Sequence, residues 1–451
     1  MSVQIISLLV LAAVFLIATV RPVNMGALAL VAAAVVGIVV FGGDVDDVLA
    51  GFPASLFVIL VGVTYLFALA KNNGTVDWIV HAVVRAVRGR VALIPWAMFA
   101  VCAAITAVGA VSPAAVAIVA PIALGFASRY RIHPVMMGMM VVQGATAGSF
   151  SPIGIFGSIT NGVVERSQLP SNPLVLFLTT FGASLLIAGL AFVVFGGPRL
   201  VGRGAGADLD AAAEQAERVA HAEVTGTPEA AVRRGQAGSA GSAAAEPPDE
   251  GHRLNAPRAL TLLGLAALAV GALIFKLDVG FTALAIAVVL TLIFPGSAKG
   301  AVDKIAWGTV LLIGGIVTYV GLLEEQGVVA WLGESVAGIG TPLLVALLIC
   351  VIGAVVSAFA STTGILGALI PLAVPFLVTG QVGAVGMICA LAIASSVVDC
   401  SPFSTNGALV VANSETEDRD RVFRTLLIWG MSIMVIAPVV AWLALVVPGW
   451  L

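Results

Sequence analysis

A short polar word interrupts an apolar stretch, and one half-chain later the interruption recurs. SPAAVAIVAP begins at Ser112 and TTGILGALIP at Thr362, while SPIGIFGSITNGVV begins at Ser151 and SPFSTNGALVV at Ser401. The step from Ser112 to Pro121 equals that from Thr362 to Pro371, and the step from Ser112 to Ser151 equals that from Thr362 to Ser401. A chain that repeats both its apolar segments and the breaks inside them folds as two copies of one unit. Small polar residues and prolines breaking apolar segments at corresponding places in two halves mark a binding site where the repeats of a helical membrane fold meet.

The apolar segments themselves fix the solvent. Of 451 residues 60% are hydrophobic and 10% charged, against roughly 25% charged in a soluble domain, so this is an all-α polytopic membrane protein. The net charge of −3 is spread over loops with no basic patch, which excludes nucleic acid as a partner. Cys102, Cys350, Cys389 and Cys400 lie in apolar stretches without CxxC spacing and read as small core residues. His81, His133, His221 and His252 are scattered over interfacial and loop segments, so neither haem nor a metal cluster is expected. The first apolar stretch lacks the basic start and cleavage site of a signal peptide and is expected to stay as a span.

Stretches long enough to cross a bilayer fall near 3–20, 25–42, 54–71, 92–127, 134–165 and 172–196, and the series repeats near 257–275, 279–295, 306–323, 340–377, 383–412 and 425–449. The chain therefore divides into a first repeat over 1–197, a linker over 198–256 and a second repeat over 257–451. The linker is rich in Ala, Gly, Glu and Arg with almost no aromatic residue, a composition expected to be largely disordered, with one short helix at DLDAAAEQAERVAHAE. Segments 92–127 and 340–377 are too long for one span and too broken for one helix; each fits a re-entrant helical hairpin, turning at Gly109 to Pro113 and at Ala360 to Gly364. Segments 134–165 and 383–412 each fit a helix broken at the second polar word.

This leaves about ten spans plus two hairpins, and an odd number of crossings per half inverts the second repeat. With both termini outside and the linker cytoplasmic, only Arg166 and Lys276 of the 21 Lys and Arg residues fall outside, as the positive-inside rule requires. Residues 75–90 separate His81, Arg85 and Arg88 from Val80, Val83, Val84 and Val87 on opposite faces, the pattern of an interfacial helix.

No Lys, Arg or His occurs in 92–127, 134–165, 340–377 or 383–412, so an anion at the midplane must be held by helix N-termini, hydroxyls and amides. The same breaks offer unwound carbonyls and side-chain oxygens to Na+. The expected substrate contacts are Ser112, Ser158, Thr160, Asn161, Ser361, Thr362, Thr363, Ser404, Thr405 and Asn406; the expected sodium contacts are Ser112, Gly157, Asn161, Thr362, Asp399, Ser401 and Asn406. Any one of these serines reads as readily as a packing residue that lets helices approach; two clusters at equal spacing favour a site. Asn161 and Asn406 stand in matching Thr-Asn-Gly triplets and carry most weight, although an Asn-Gly pair also terminates helices. Asp399, the one acid deep in a span, is either a site for a cation or proton or a hydrogen-bonded structural acid, and Ser149 takes its place in the first half. Gln143 reads as a residue bonding a neighbouring helix.

With these residues the chain resembles the ion transporter superfamily, in particular the divalent-anion:sodium symporters and the MatC-type malonate and dicarboxylate carriers. Ser361-Thr362-Thr363 stands at the second Ser-Asn-Thr of the symporter hairpins, Val111-Ser112-Pro113 at the first, and Ile159-Thr160-Asn161 and Ser404-Thr405-Asn406 at their Pro-Pro-Asn turns. The resemblance implies sodium-coupled uptake of a small dicarboxylate across the plasma (inner) membrane, without a resident cofactor, by a homodimer embedded in lipid. It implies an elevator, in which the hairpins and broken helices form a transport subdomain that slides against a scaffold made of the remaining spans. Proton coupling or cation/proton antiport at Asp399 is the alternative, an anion channel is a further one, and no HExxH, paired carboxylates or Ser/His pair suggests an enzyme.

Overall fold

In the computed structural model the described residues are 3–21, 23–86, 90–203, 254–329, 331, 342–359, 362–378 and 382–449. The linker helix expected within 208–223, Arg88 and the second hairpin's turn at 360–361 lie outside them. All the regular elements described are helical, because in hydrocarbon the backbone must satisfy its own hydrogen bonds within each segment. Several begin at a polar side chain that accepts from the first turn: Asn24, Asn172, Asn255 and Asp278.

The first half runs α1 (Val3–Val20), α2 (Met25–Val35), the short α3 (Val45–Ala50), α4 (Ala54–Asn72), α5 (Thr75–Ala86), α6 (Ile94–Ala107), α7 (Ser112–Tyr130), α8 (Pro134–Ser149), α9 (Ile155–Arg166) and α10 (Pro173–Val194). The second runs α11 (Ala256–Leu273), α12 (Val279–Ile293), α13 (Trp307–Glu325), α14 (Pro342–Phe359), α15 (Thr362–Val378), α16 (Ala384–Ser396), α17 (Thr405–Ala412) and α18 (Arg419–Ala441). Six stretches among the described residues have the length and composition to cross a membrane, and shorter apolar helices accompany them.

Among the contacts between the halves, two are the same crossing made twice. α2 of the first half packs on α13 of the second, and α12 of the second packs on α4 of the first. A Cβ on Gly315 would lie 1.9 Å from Gly26 O, and one on Gly62 would lie 2.5 Å from Gly280 O. Only paired glycines let the backbones come so close, which is how helices associate where no hydrophobic effect drives them together.

Hydrogen bonds show that the hairpins enter from opposite faces. Val91 N donates to Arg203 O at 3.2 Å and an Arg203 Nη to Tyr130 O at 2.9 Å, tying both ends of the α6–α7 pair to the end of the first half. At this face Asn72 Nδ2 donates to Ser297 O at 2.8 Å and Arg258 Nε to Asn73 O at 3.3 Å, and α5 bridges the two groups by packing on α6 and α11. α15 instead brings Pro371 beside Glu324, at the far end of α13, and Arg166, at the far end of α9. The second repeat is thus inverted relative to the first.

The last helix of each half, which the sequence reading places with the scaffold, packs on the broken helices and one hairpin arm: α10 on α8 and α16, α18 on α14 and α16. α10 buries the small residues Thr180, Ser184, Ala188 and Ala191 there, Phe181 and Phe192 meet Phe99 and Trp96 edgewise or tilted, and Trp442 Nε1, just past α18, donates to Leu343 O at 2.7 Å. A hydropathy pattern marks a span but carries no information on which neighbour its small residues meet.

Candidate functional site

Each broken helix stops at the Ser-Pro pair and restarts after one turn. Gly154 N donates to Ser151 O at 2.9 Å and Ser404 N to Ser401 O at 3.0 Å, so both breaks close with the same four-residue turn. Proline suits it because its missing N–H and fixed φ favour the turn's second position. Six residues after each serine stands a glycine at the same close approach: a Cβ on Gly157 would lie 2.0 Å from Ser151 O, and one on Gly407 1.9 Å from Ser401 O. The two breaks are one structure built twice.

The hairpin turns reach these breaks. At the first, Gly109 adopts φ +108° and presses on Val63, and α7 starts at Ser112. Asn406 Nδ2 donates to Ser112 Oγ at 2.8 Å, between two buried side chains from opposite halves. At the second, Thr362 Oγ1 donates to Asp399 Oδ1 at 2.6 Å and shares a hydrogen bond of 2.8 Å with Ser357 Oγ. The second break therefore holds a side chain from each hairpin. In addition α15 packs on α9 and α7 on α17, so each hairpin arm lies against the other half's restarting helix.

The polar atoms sort into satisfied and open ones. Ser404 Oγ donates to the carbonyls of Asp399 and Ser401 and accepts from Gly407 N, capping α17 internally. α9 has no side-chain cap, which leaves its first-turn N–H groups available to an anion, whereas in α7 Pro113 lacks an N–H and Ala114 and Ala115 N already donate to Val111 O, leaving the N–H of Ser112. Asn406 Oδ1, Gln143 Oε1 and Thr160 Oγ1 are buried without a hydrogen-bond partner. Buried oxygens in that condition cost free energy unless something binds them, and amide oxygens with nearby break carbonyls are donors of the type Na+ prefers.

The other expected residues fall as follows. Thr363 is buried beside Thr362, Ser158 is buried with only a long bond of 3.5 Å to Pro152 O, and Ser401 Oγ accepts from Phe403 N at 3.4 Å. Ser361 lies outside the described residues, and Thr405 is exposed. The matched Thr-Asn-Gly triplets are not equivalent. Counted from the Ser-Pro turns, Gly157 corresponds to Gly407, which puts Phe156 opposite Asn406 and leaves Asn161 deep in α9. Asn161 is half-buried in a small cleft with Pro170, Asn172 and Val385, apart from the Ser112–Asn406 pair. Ser149, opposite Asp399, bonds back to Ala145 O at 2.7 Å within its own helix. Gln143 Nε2 donates to Val397 O at 3.4 Å, the helix-bonding role expected of it, yet its Oε1 stays open.

Three contributors stand outside the expected substrate and sodium contacts. Ser357, one turn before the second hairpin's tip, relays onto Thr362, Ser151 Oγ donates to Ala107 O at 2.7 Å and pins the first break to the first hairpin, and Thr146 Oγ1 is buried without a partner. The signal for Ser357 was its place one turn before Thr362 in an otherwise apolar run.

Comparisons with known proteins agree with this architecture. Residues 1–149 match the family of the dicarboxylate carrier protein MatC N-terminus, and residues 269–449 match the citrate transporter family. Among solved structures, the YdaH transporter of Alcanivorax borkumensis, described as having an unusual topology, superposes with a TM-score of 0.57 at 14% identity over 89% of each chain. That likeness is one of fold. The curated proteins give no match.

Proposed function

We propose that this chain, a secondary carrier of the dicarboxylate and citrate type in the ion transporter superfamily, takes up a small dicarboxylate such as malonate or a four-carbon diacid, driven by Na+. The observation that carries the reading is the junction at the second break, where Asn406 holds Ser112 of one hairpin and Asp399 holds Thr362 of the other. A substrate reaching this junction gains the first-turn N–H groups of α9, the N–H of Ser112 and the dipoles of both helices for its carboxylates without a cationic side chain. The open oxygens of Asn406 and Gln143 supply ligands for the cation. Cation and dianion offset each other's charge, so the loaded unit crosses a low-dielectric region more readily than a half-loaded one.

The movement is an elevator: α6–α10 and α14–α18 slide as a unit along α1–α4 and α11–α13, within a homodimer in the plasma membrane. The face carrying Lys71, Arg129, Arg203, Arg258, Lys299 and Arg419 is cytoplasmic, as basic loops favour. A proton carried by Asp399 is a second reading, favoured by the burial of that acid against the Thr362 hydroxyl. Proteoliposomes loaded without Na+ and given labelled malonate or succinate separate the two. The reading expects uptake with external Na+, none with choline, and little effect of a protonophore. Uptake indifferent to Na+ and abolished by the protonophore would replace sodium with the proton at Asp399; no uptake of any dicarboxylate under either gradient would refute the carrier assignment for this substrate class.

A further inference from the structure

The two breaks share one turn, but the side chains around them differ in kind. The repeat step of 250 residues, from Ser112 to Thr362 and from Ser151 to Ser401, sets Ser149, Gly154, Phe156, Ser158 and Thr160 of the first break against Asp399, Ser404, Asn406, Ala408 and Val410 of the second. It also sets Gln143 and Thr146 of α8 against Ile393 and Ser396 of α16. At the second break these residues gather oxygens that accept. Gln143 comes from the other half: its Nε2 donates to Val397 O at 3.4 Å, which brings its open Oε1 there. Thr146, one turn along the same face of α8, has a buried hydroxyl without a partner. Asn406 adds an open Oδ1 and Asp399 a buried carboxyl.

Among the described residues the first break has no such set. Ile393 and Phe156 offer no side-chain oxygen, and the Phe156 ring instead meets Phe150 edgewise at 5.3 Å. Ser149 and Ser396 bond back into their own helices, at Ala145 O and Ile393 O. The amide nearest in sequence, Asn161, lies in the separate cleft beside Pro170. What the first break keeps is donors. Gly154 has no side chain to occupy Gly157 N, whereas Ser404 Oγ accepts from Gly407 N. Ser158 and Thr160 add buried hydroxyls to α9 where α17 has Ala408 and Val410.

N–H and hydroxyl groups suit a carboxylate, while amide oxygens near a carboxyl suit a cation. Each of these differences between the breaks falls on the same side of that division. A cation taken out of water is costly unless opposite charge and several oxygens surround it, and only the second break brings both. We infer that the breaks divide the two charges of the cargo: the second, through Gln143, Thr146, Asp399 and Asn406, is the carrier's single cation site, and the first holds a carboxylate and no cation. One Na+ then accompanies each dicarboxylate, although the fold that holds them is duplicated.

The inference rests on the sodium-driven carrier reading. Its test is uptake by proteoliposomes over a series of Na+ concentrations, with choline keeping the ionic strength constant, for Gln143→Leu and Asp399→Asn at the second break and Ser158→Ala and Thr160→Val at the first. Wild type should respond to Na+ with a Hill coefficient of about 1. The second-break variants should need about tenfold more Na+ for half-maximal uptake, yet return to the wild-type KM for malonate or succinate once Na+ is saturating. The first-break variants should raise that KM severalfold at saturating Na+ and leave the half-maximal Na+ concentration, measured at saturating dicarboxylate, unchanged. Melting of the same proteins in Na+ and in choline checks folding and, for a variant that does not transport, reads whether Na+ still binds. A Hill coefficient of about 2 or more, or Ser158→Ala and Thr160→Val weakening Na+ activation as much as Gln143→Leu does, would overturn the division. No wild-type uptake of any dicarboxylate, with a Na+ melting shift lost only in the second-break variants, would remove the carrier reading for that substrate and leave the cation site standing.

Discussion

Gly407 offers the sharpest perturbation, because replacing it with alanine sets two calculable effects against each other. Alanine in a helix gains about 0.8–1.0 kcal/mol over glycine, and Gly407 is the third residue of α17. Against that gain, the new Cβ would lie 1.9 Å from Ser401 O, 2.5 Å from Ser401 C and 2.9 Å from Cys400 O. Ordinary contact between heavy atoms is about 3.5 Å, so the turn must open by more than 1 Å. Its obstacle is backbone, which no rotamer change relieves, and overpacking of this kind costs about 1–3 kcal/mol or more. Opening also carries Asn406, the adjacent residue, away from Ser112, forfeiting a hydrogen bond of about 1 kcal/mol and leaving a buried hydroxyl.

The net expectation is destabilisation of about 1–3 kcal/mol together with loss of transport that exceeds the loss of folded protein. Gly182→Ala in α10 is the control: nothing lies within 4 Å of its added methyl, so only the helix-propensity gain applies and melting should hold or rise. Thermal melting of detergent-purified protein and initial uptake rates per folded carrier read both terms. Gly407→Ala melting at or above wild type with an unchanged uptake KM would refute the claim that the Ser401–Gly407 contact sets the break.

Asn406→Ala and Thr362→Ala should each abolish uptake while leaving expression and oligomeric state intact; unchanged uptake in both would remove the site assignment. Asn161→Ala should leave uptake of the same dicarboxylate within a few-fold of wild type, since the side chain sits in a separate cleft, and a loss as large as that of Asn406→Ala would contradict that separation. Burial first, and then Arg421, hold the His133 imidazole below its usual value of 6.5, with Asp418 opposing them. The unfolded chain then binds more protons than the folded one, so the His133 contribution to stability is present above about pH 6.5 and is lost as pH falls through that value toward the lower folded one. Melting measured from pH 7.5 to 5 should accordingly fall less in His133→Gln than in wild type. Gly315→Leu should prevent assembly of the α2–α13 crossing, where even a Cβ meets Gly26 O at 1.9 Å, and appear as aggregated or degraded protein in size-exclusion profiles.

The equal steps from Ser112 to Ser151 and from Thr362 to Ser401 made the duplicated hairpins and breaks legible, because apolar length and interrupting residues are local properties. The inversion was legible too, since basic residues report which face a loop occupies. Short-word matching does not fix the register. Thr-Asn-Gly at Asn161 and Asn406 looks alike, but the Ser-Pro turn sets the register of the restarting helix, and from it Asn161 lies more than a turn further on. The partners of Ser357 and Ser151 were not legible because a hydroxyl has the same sequence signature whether it bonds its own helix or a neighbour. The packing of α10 and α18 with the hairpins depends on which small residues face which partner, and hydropathy is silent on that.

The claim that the two polar words form one pocket for a dicarboxylate and a cation is tested most directly by ligand-induced stabilisation of the purified carrier. Ligand that binds only the folded state at 100 times its Kd adds about 2.7 kcal/mol, enough to read as a melting shift. A dicarboxylate such as malonate or succinate should raise the melting temperature in Na+ but not in choline, mono- and tricarboxylates should do so less, and Asn406→Ala should abolish the shift. No shift with any carboxylate in the presence of Na+, or a full shift retained in Asn406→Ala, would contradict the account.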